Sequence, residues 1–385
     1  MIPPSLAPTP PGPLAGLRVL EVGGIGPGPF AAMTLADLGA DVVRIDRPED
    51  RGRLPRDGSQ ILHRGKRSIC LDLKADVDRA ALNELAGHAD VVIESSRPGV
   101  AERLGIGPDD LHAVNPRIVY ARMTGWGQEG PKAMTAGHDV GYLARTGLLH
   151  AIGNEEQPQI PLALVGDFGG GALYLVIGIL AAVHEARRSG RGQVVDGAIV
   201  DGAAHMGTLL YGMLAAGRWT DRRQSNLMDG GTPFYSVYET ADGKHMAVGA
   251  IESQFYDTFV GILAPDEELP SRRDRSEWPL LRERIAARFR TRTRDEWAAT
   301  FRDTDACVEP VLSLTESLDD AHLRERGTYV DVAGIRQPAP APRFSRTPAA
   351  AVTPPCTPGD NDHRSVLHSW GISGVAPMRE TRSKR

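Results

Sequence analysis

The chain reads as an α/β protein with a large Rossmann-like parallel-sheet domain and a smaller α+β domain. Three observations carry that reading. A β-turn-α-β unit opens the chain, short apolar strands and helical stretches then alternate to about residue 199, and beyond about residue 221 alternating segments meet at a tight turn. At 385 residues the chain is long enough to bury a large core in two domains.

Residues 1–13 are rich in proline and read as an extended tail. Residues 17–22 follow as a buried strand, 23–29 as a turn, 30–38 as a helix and 41–45 as the next strand. Residues 80–85 are helical, while 90–93 and 118–123 are apolar strands, the second running into Thr124-Gly125-Trp126-Gly127. Residues 172–188 form a long apolar helix that closes on Arg187, Arg188 and Gly190, a basic last turn followed by glycine. A strand at 193–199 and a helix at 201–217 complete the pattern. Residues 234–239 and 245–248 alternate around Asp242-Gly243, a hairpin signal. The expected boundaries are a tail at 1–13, a large domain at 14–220, a small domain at 221–327, a return to the large domain at 328–376 and a disordered polar tail at 377–385. Residues 336–360, rich in proline, are expected to be extended within that return.

A net charge of −5 disfavours a nucleic-acid partner. No uninterrupted apolar run reaches bilayer length, so no membrane span is expected. Cys70, Cys307 and Cys356 fit neither a disulfide framework nor a metal-binding pair, which makes a reducing cytoplasm the expected compartment and leaves no metal site.

Two short segments carry chemistry. Gly137-His138-Asp139 and Gly166-Asp167-Phe168-Gly169-Gly170-Gly171 each place an acid–base group beside glycine and before a helical run. Two bases facing one carbon are what a 1,1-proton transfer needs: one removes a proton, the other returns it on the opposite face. Asp167 has a second reading as a helix N-cap, a position aspartate favours.

Gly26-Pro27-Gly28-Pro29-Phe30-Ala31 matches the dinucleotide-binding pattern G-x-G-x-x-A, with Asp46 about 20 residues on. Phosphate cradles of that kind use backbone N–H donors. Pro27 and Pro29 have none, so the segment reads as a tight strand-to-helix junction and not as a nicotinamide site.

Several separated motifs resemble the family III CoA-transferases (CaiB/BaiF). They are 16-GLRVLE-21, 26-GPGP-29, 38-LGADVVRID-46, 64-RGKRS-68 with 71-LDLK-74, and 96-SRPGV-100. Within that family 136-AGHD-139, 166-GDFGGG-171 and 249-GAIE-252, extended by Gln254-Phe255-Tyr256, resemble the α-methylacyl-CoA racemases. The resemblance implies an interlocked homodimer with the small domain inserted between parts of the large one. It implies a reaction that inverts the α-carbon of a 2-methylacyl-CoA thioester through an enolate, with CoA as part of the substrate and no further cofactor.

In that reading His138 and Asp167 are the opposed bases and Glu252 orients His138. If a helix starts at Asp139, the Asp139 backbone N–H can hold the enolate oxygen. Arg44, Lys66, Arg67 and Arg97 fall near expected strand ends and are candidates for the phosphates of CoA. The competing reading of residues 64–67 is a solvated charge run. Two other functions share the motifs. A CoA-transferase would use Asp167 as a nucleophile through a mixed anhydride. A non-catalytic acyl-CoA-binding protein would need none of His138, Asp167 and Glu252.

Overall fold

Six strands make one parallel sheet in the computed structural model, which describes residues 12–55 and 57–372. The two expected tails fall outside the described residues, apart from Gly12 and Pro13, which lie in a turn. The chain divides into two compact units. Of the described residues, one takes 12–143, Ala163–His205 and 329–372; the other takes Ala144–Leu162 and Met206–Thr328.

The first unit holds β1 (Arg18–Val22), β2 (Asp41–Asp46), β3 (Arg67–Cys70), β4 (Val91–Glu94), β5 (Val119–Thr124) and β6 (Val194–Ala198) in the order β3-β2-β1-β4-β5-β6. That order reverses between β1 and β4, and in open sheets the crevice at such a reversal, outside the carboxyl ends of the strands, takes the ligand. The central strands are apolar runs because both faces are covered. Val19, Val42, Val91 and Val119 face a core shared with Ala31 and Leu35 on one helix and Leu175, Ile179 and Val183 on another. Leu20, Val43, Val92 and Tyr120 face the opposite core, with Leu82, Leu85, Val366 and Leu367. Successive residues of a strand point to opposite faces, which is why 19 and 20 part company.

Local differences from the expected elements have physical causes. The first helix spans Pro27–Asp37, so it begins inside the expected turn. A first-turn N–H has no intrahelical acceptor, and proline at the first position loses nothing. The expected helix at 172–188 begins earlier, as a π-helical stretch Leu164–Leu173 that continues into the α-helix Tyr174–Ser189. The combined helix, Leu164–Ser189, is long and apolar enough to cross a membrane, contrary to the expectation that no apolar run is. Here Leu175, Ile179, Ala182, Val183 and Ala186 bury one stripe of it in the sheet core, while Leu164, Leu173 and Ile177 on the same helix stay exposed. The expected helix at 201–217 breaks into Ile199–Met206 and Thr208–Ala215. The second piece belongs to the second unit, where Tyr211 Oη donates to the Thr146 carbonyl at 2.7 Å.

The second unit carries an antiparallel sheet of β7 (Tyr235–Glu239), β8 (His245–Gly249) and β9 (Val308–Pro310). The β7–β8 turn closes with the Thr240 N–H on the Lys244 carbonyl at 2.9 Å, and Gly243 takes a φ of 72° that suits glycine. Helices Ser253–Leu263, Trp278–Phe289 and Arg294–Phe301 pack on it through Phe259, Phe289, Trp297 and Phe301. The chain then re-enters the first unit with the hairpin β10 (Tyr329–Val332) and β11 (Ile335–Pro338). Within the expected extended stretch, residues 339–356 hold no helix or strand, and helix His363–Ser369 follows to seal the second core of the large unit.

Candidate active site

A cavity of about 700 Å³ opens at the carboxyl ends of the large sheet. Its walls are the turn after β1, the end of β2, the loop after β4, and the segment from the end of β5 through His138. His138 and Asp167 both line it, as do Arg44 and Arg97.

Helix Asp139–Arg145 starts where the sequence places it. The His138 carbonyl accepts from the Gly141 and Tyr142 N–H groups at 2.8 and 3.2 Å, which anchors the histidine at the mouth of that helix. As the first helical residue, Asp139 has an N–H without an intrahelical acceptor. Tyr142 meets the Trp126 ring edge-on at 4.8 Å, and both line the cavity.

Asp167 is not an N-cap. The helix starts beyond Ala163, and Asp167 sits within the first π-helical turn with its side chain free of any capping bond. Such turns are rare and recur at functional sites. The Asp167 N–H donates to Asp139 Oδ1 at 2.8 Å. A Cβ on Gly166 would lie 2.2 Å from that same oxygen, so only glycine lets the carboxylate approach. Burial, then the Asp139 charge, push the Asp167 carboxyl up to about 6, against a smaller opposing pull from His138. A carboxyl near that value can both take and return a proton close to neutrality.

The glycine pattern after β1 finds a local explanation. A Cβ at Gly28 would lie 2.2 Å from Ser95 Oγ, so Gly28 admits the loop after β4 to the crevice. Gly26, at φ 65°, points its missing side chain toward Asp167 Oδ2, 3.7 Å from where a Cβ would sit. Asp46 holds Arg44 Nε through both oxygens, at 2.9 and 2.7 Å, and also accepts from Ser68 Oγ. It is committed to protein partners.

Of the four basic candidates, two reach the cavity. Arg44 is buried and keeps Nη1 without a hydrogen-bond partner among the described residues; Arg97 is exposed at the rim. Lys66 does not reach it. Its ammonium is fully buried, 2.6 Å from Glu21 Oε2 and 2.9 Å from the Pro29 carbonyl, and burial pushes its pKa down despite Glu21. Arg67 begins β3, and its guanidinium holds Asp41 at 2.6 and 3.0 Å, at the amino-end edge of the sheet, away from the cavity. Residues 64–67 are not a solvated run either: Arg64 is buried on Asp37 at 2.6 and 3.1 Å and on Gln337 at 2.8 Å.

Glu252 stands at the N-cap position of helix Ser253–Leu263 in the second unit, exposed and making no side-chain capping bond.

Sequence reasoning missed several cavity groups. Glu21 Oε1 and His63 Nδ1 line it with no partner among the described residues. Burial, Arg44 and Lys66 together push His63 down to about 3, so its ring is neutral. His63 stands alone in the sequence, and no spacing singles it out. The Asp139 carboxylate, which holds the Asp167 N–H and does not itself line the cavity, was equally hidden behind its backbone N–H. No cluster of three or more His, Cys, Asp or Glu arranged for a metal ion occurs among the described residues.

The profile of CoA-transferase family III matches residues 14–364, and this chain belongs to that family. It is 44% identical over 364 residues to the alpha-methylacyl-CoA racemase of Mus musculus, covering 94% of each chain. It is 44% identical over 343 residues to the alpha-methylacyl-CoA racemase of Homo sapiens, covering 87% of each. Among solved structures, a CaiB/BaiF family protein from Brucella suis matches with a TM-score of 0.79 at 26% identity, covering 93% of this chain and 99% of that one.

Proposed function

We propose that this protein is an isomerase that inverts the α-carbon of 2-methylacyl-CoA thioesters. One observation carries the proposal: a histidine and an aspartate with a raised pKa line a single cavity at the ligand-binding edge of the sheet. The relatives named alpha-methylacyl-CoA racemase support it. The thioester carbonyl acidifies the α-hydrogen. One base takes that hydrogen as a proton, and the electron pair moves onto the thioester oxygen. The Asp139 N–H donates to this enolate oxygen. The other base then delivers a proton to the opposite face. No redox partner or further cofactor enters the balance.

In this proposal Arg44 and Arg97 hold phosphates of CoA, and their seats on the cavity wall support the assignment. Glu252 enters only through the resemblance, as the group that orients the His138 ring. A homodimer is part of the proposal, supported by apolar side chains left in solvent on one protomer, among them Leu164, Leu173 and Ile177. No nucleic-acid or membrane partner is invoked. The cytoplasm is the proposed compartment, on the three unpaired cysteines.

The experiment is proton NMR in deuterium oxide with a single-epimer 2-methylacyl-CoA and no acceptor acid. Loss of the α-proton signal with growth of the other epimer is the expected result. No exchange, together with CoA moving to a carboxylic acid added in a second assay, contradicts the proposal and favours transfer through Asp167.

A further inference from the structure

We propose that the Asp139 carboxylate is a positioning residue for Asp167: it holds the Asp167 amide and sets a second acid, without a counter-charge, beside the Asp167 carboxyl. This rests on the reading of Asp167 as a base. It adds a side chain that the reaction so far uses only through its backbone.

The arrangement is unusual for a buried acid. Asp139 is only 7% exposed, and no Lys or Arg among the described residues forms an ion pair with it. Oδ1 is spent on the Asp167 N–H at 2.8 Å, while Oδ2 is buried with no hydrogen-bond partner among the described residues. Burying a carboxylate without a counter-charge opposes folding. Gly166 is what allows the contact, since a Cβ there would collide with Oδ1. Two acids set side by side raise the pKa of one of them, and reactive centres are where such arrangements gather.

The groups acting on Asp167 are few. Asp139 and His138 come from the start of one helix; Tyr142 on that helix feels the Asp167 charge and, in the opposite sense, Arg97 from the loop after β4. The turn after β1 presents Gly26, and Phe30 stacks on the neighbouring Phe168 at 4.7 Å, so neither adds a charge there. His138 opposes the upward shift, and burial and Asp139 produce it. Asp139 is therefore the one charged neighbour whose removal lowers the Asp167 pKa.

Asp139→Asn separates the two effects, because asparagine keeps an oxygen for the Asp167 N–H and discards the charge. The probe is the 13C signal of the Asp167 side-chain carboxyl, assigned by its loss in Asp167→Asn, followed through a pH titration of the full-length protein. In the wild type the midpoint is expected near 6. In Asp139→Asn it is expected to fall by about one unit or more. The acid limb of α-proton exchange should move the same way, with KM unchanged. Asp139→Ser, which also removes the charge, takes its place if the asparagine variant does not fold. An Asp167 midpoint that stays put in a folded, charge-free variant overturns the proposal. The titration needs no turnover: a wild type that exchanges no α-proton defeats the proposed reaction and leaves this test standing.

Discussion

Two kinds of carboxylate pair, each with a buried member, share the large unit, and they are treated in opposite ways. Glu21 and Asp37 each meet a buried cation, Lys66 at 2.6 Å and Arg64 at 2.6 Å. Asp139 and Asp167 meet each other through one backbone N–H, with no Lys or Arg ion pair among the described residues. The paired acids tie β1 to the Lys66 segment and the first helix to the Arg64 segment, which is structural work. The facing acids sit at the carboxyl edge of the sheet, where burial and mutual repulsion make one of them a weaker acid. Charge neutralised by geometry holds the fold together; charge left unneutralised is where the proposed reaction places its proton transfer.

The comparison breaks most readily at the bases. His138→Ala and Asp167→Asn should each lower the rate of epimer interconversion by about 10²–10⁴-fold while circular dichroism stays native. A variant that interconverts epimers at the wild-type rate removes its residue from the chemistry.

At the paired site the effect should fall on stability. Lys66→Met leaves Glu21 buried without a partner and should cost about 3–5 kcal/mol in urea unfolding, whereas the double variant Lys66→Met with Glu21→Gln should recover most of it. An unchanged midpoint in the single variant contradicts the structural role.

Charge at the cavity rim comes next. Arg97→Ala should raise KM for a CoA thioester about tenfold, a loss of roughly 1.4 kcal/mol that suits one charge-assisted phosphate contact, and leave kcat near wild type.

The pH dependence follows from the Asp167 shift. Its carboxyl is raised from an ordinary 3.8 to about 6, so exchange in the direction where Asp167 takes the proton should decline as the pH falls through about 6. The same shift means that the folded protein binds this proton more tightly than the unfolded chain. The contribution of this group to stability therefore grows as the pH drops from about 6 toward 4, the reverse of a salt-bridged acid. A rate that is flat from pH 7 to 5 in that direction contradicts the assignment.

The smallest effect belongs to Arg67→Ala, a half-exposed pair with Asp41, which should change stability by about 0–1 kcal/mol and leave KM alone.

Much of this was legible in the sequence where local chemistry decides. Strands β1, β2, β4 and β5 announce themselves as apolar runs because these parallel strands are covered on both faces, while the edge strand β6 is half exposed. The β7–β8 hairpin is written in Asp242-Gly243. The start of helix Asp139–Arg145 follows from Gly137 and His138. β3 escaped because its four residues, Arg67–Cys70, are half polar, and β9 because it spans three residues and ends in proline. The π-helical turn around Asp167 escaped because no sequence period marks it, and the Gly166–Gly171 run reads equally well as a loop. Lys66 misled for a physical reason. A lysine in a basic run is usually solvated, and only the tertiary fold reveals the glutamate of β1 beneath it. The Asp139 carboxylate needed the partner peptide 28 residues away before its role appeared.

The most direct test of the facing-base account is α-deuterium exchange of each epimer, taken separately, in the two single-base variants in deuterium oxide. The account predicts that Asp167→Asn still exchanges the α-proton of one epimer, and His138→Ala that of the other, neither with inversion. A variant that exchanges both epimers equally, or that inverts either one at the wild-type rate, contradicts it.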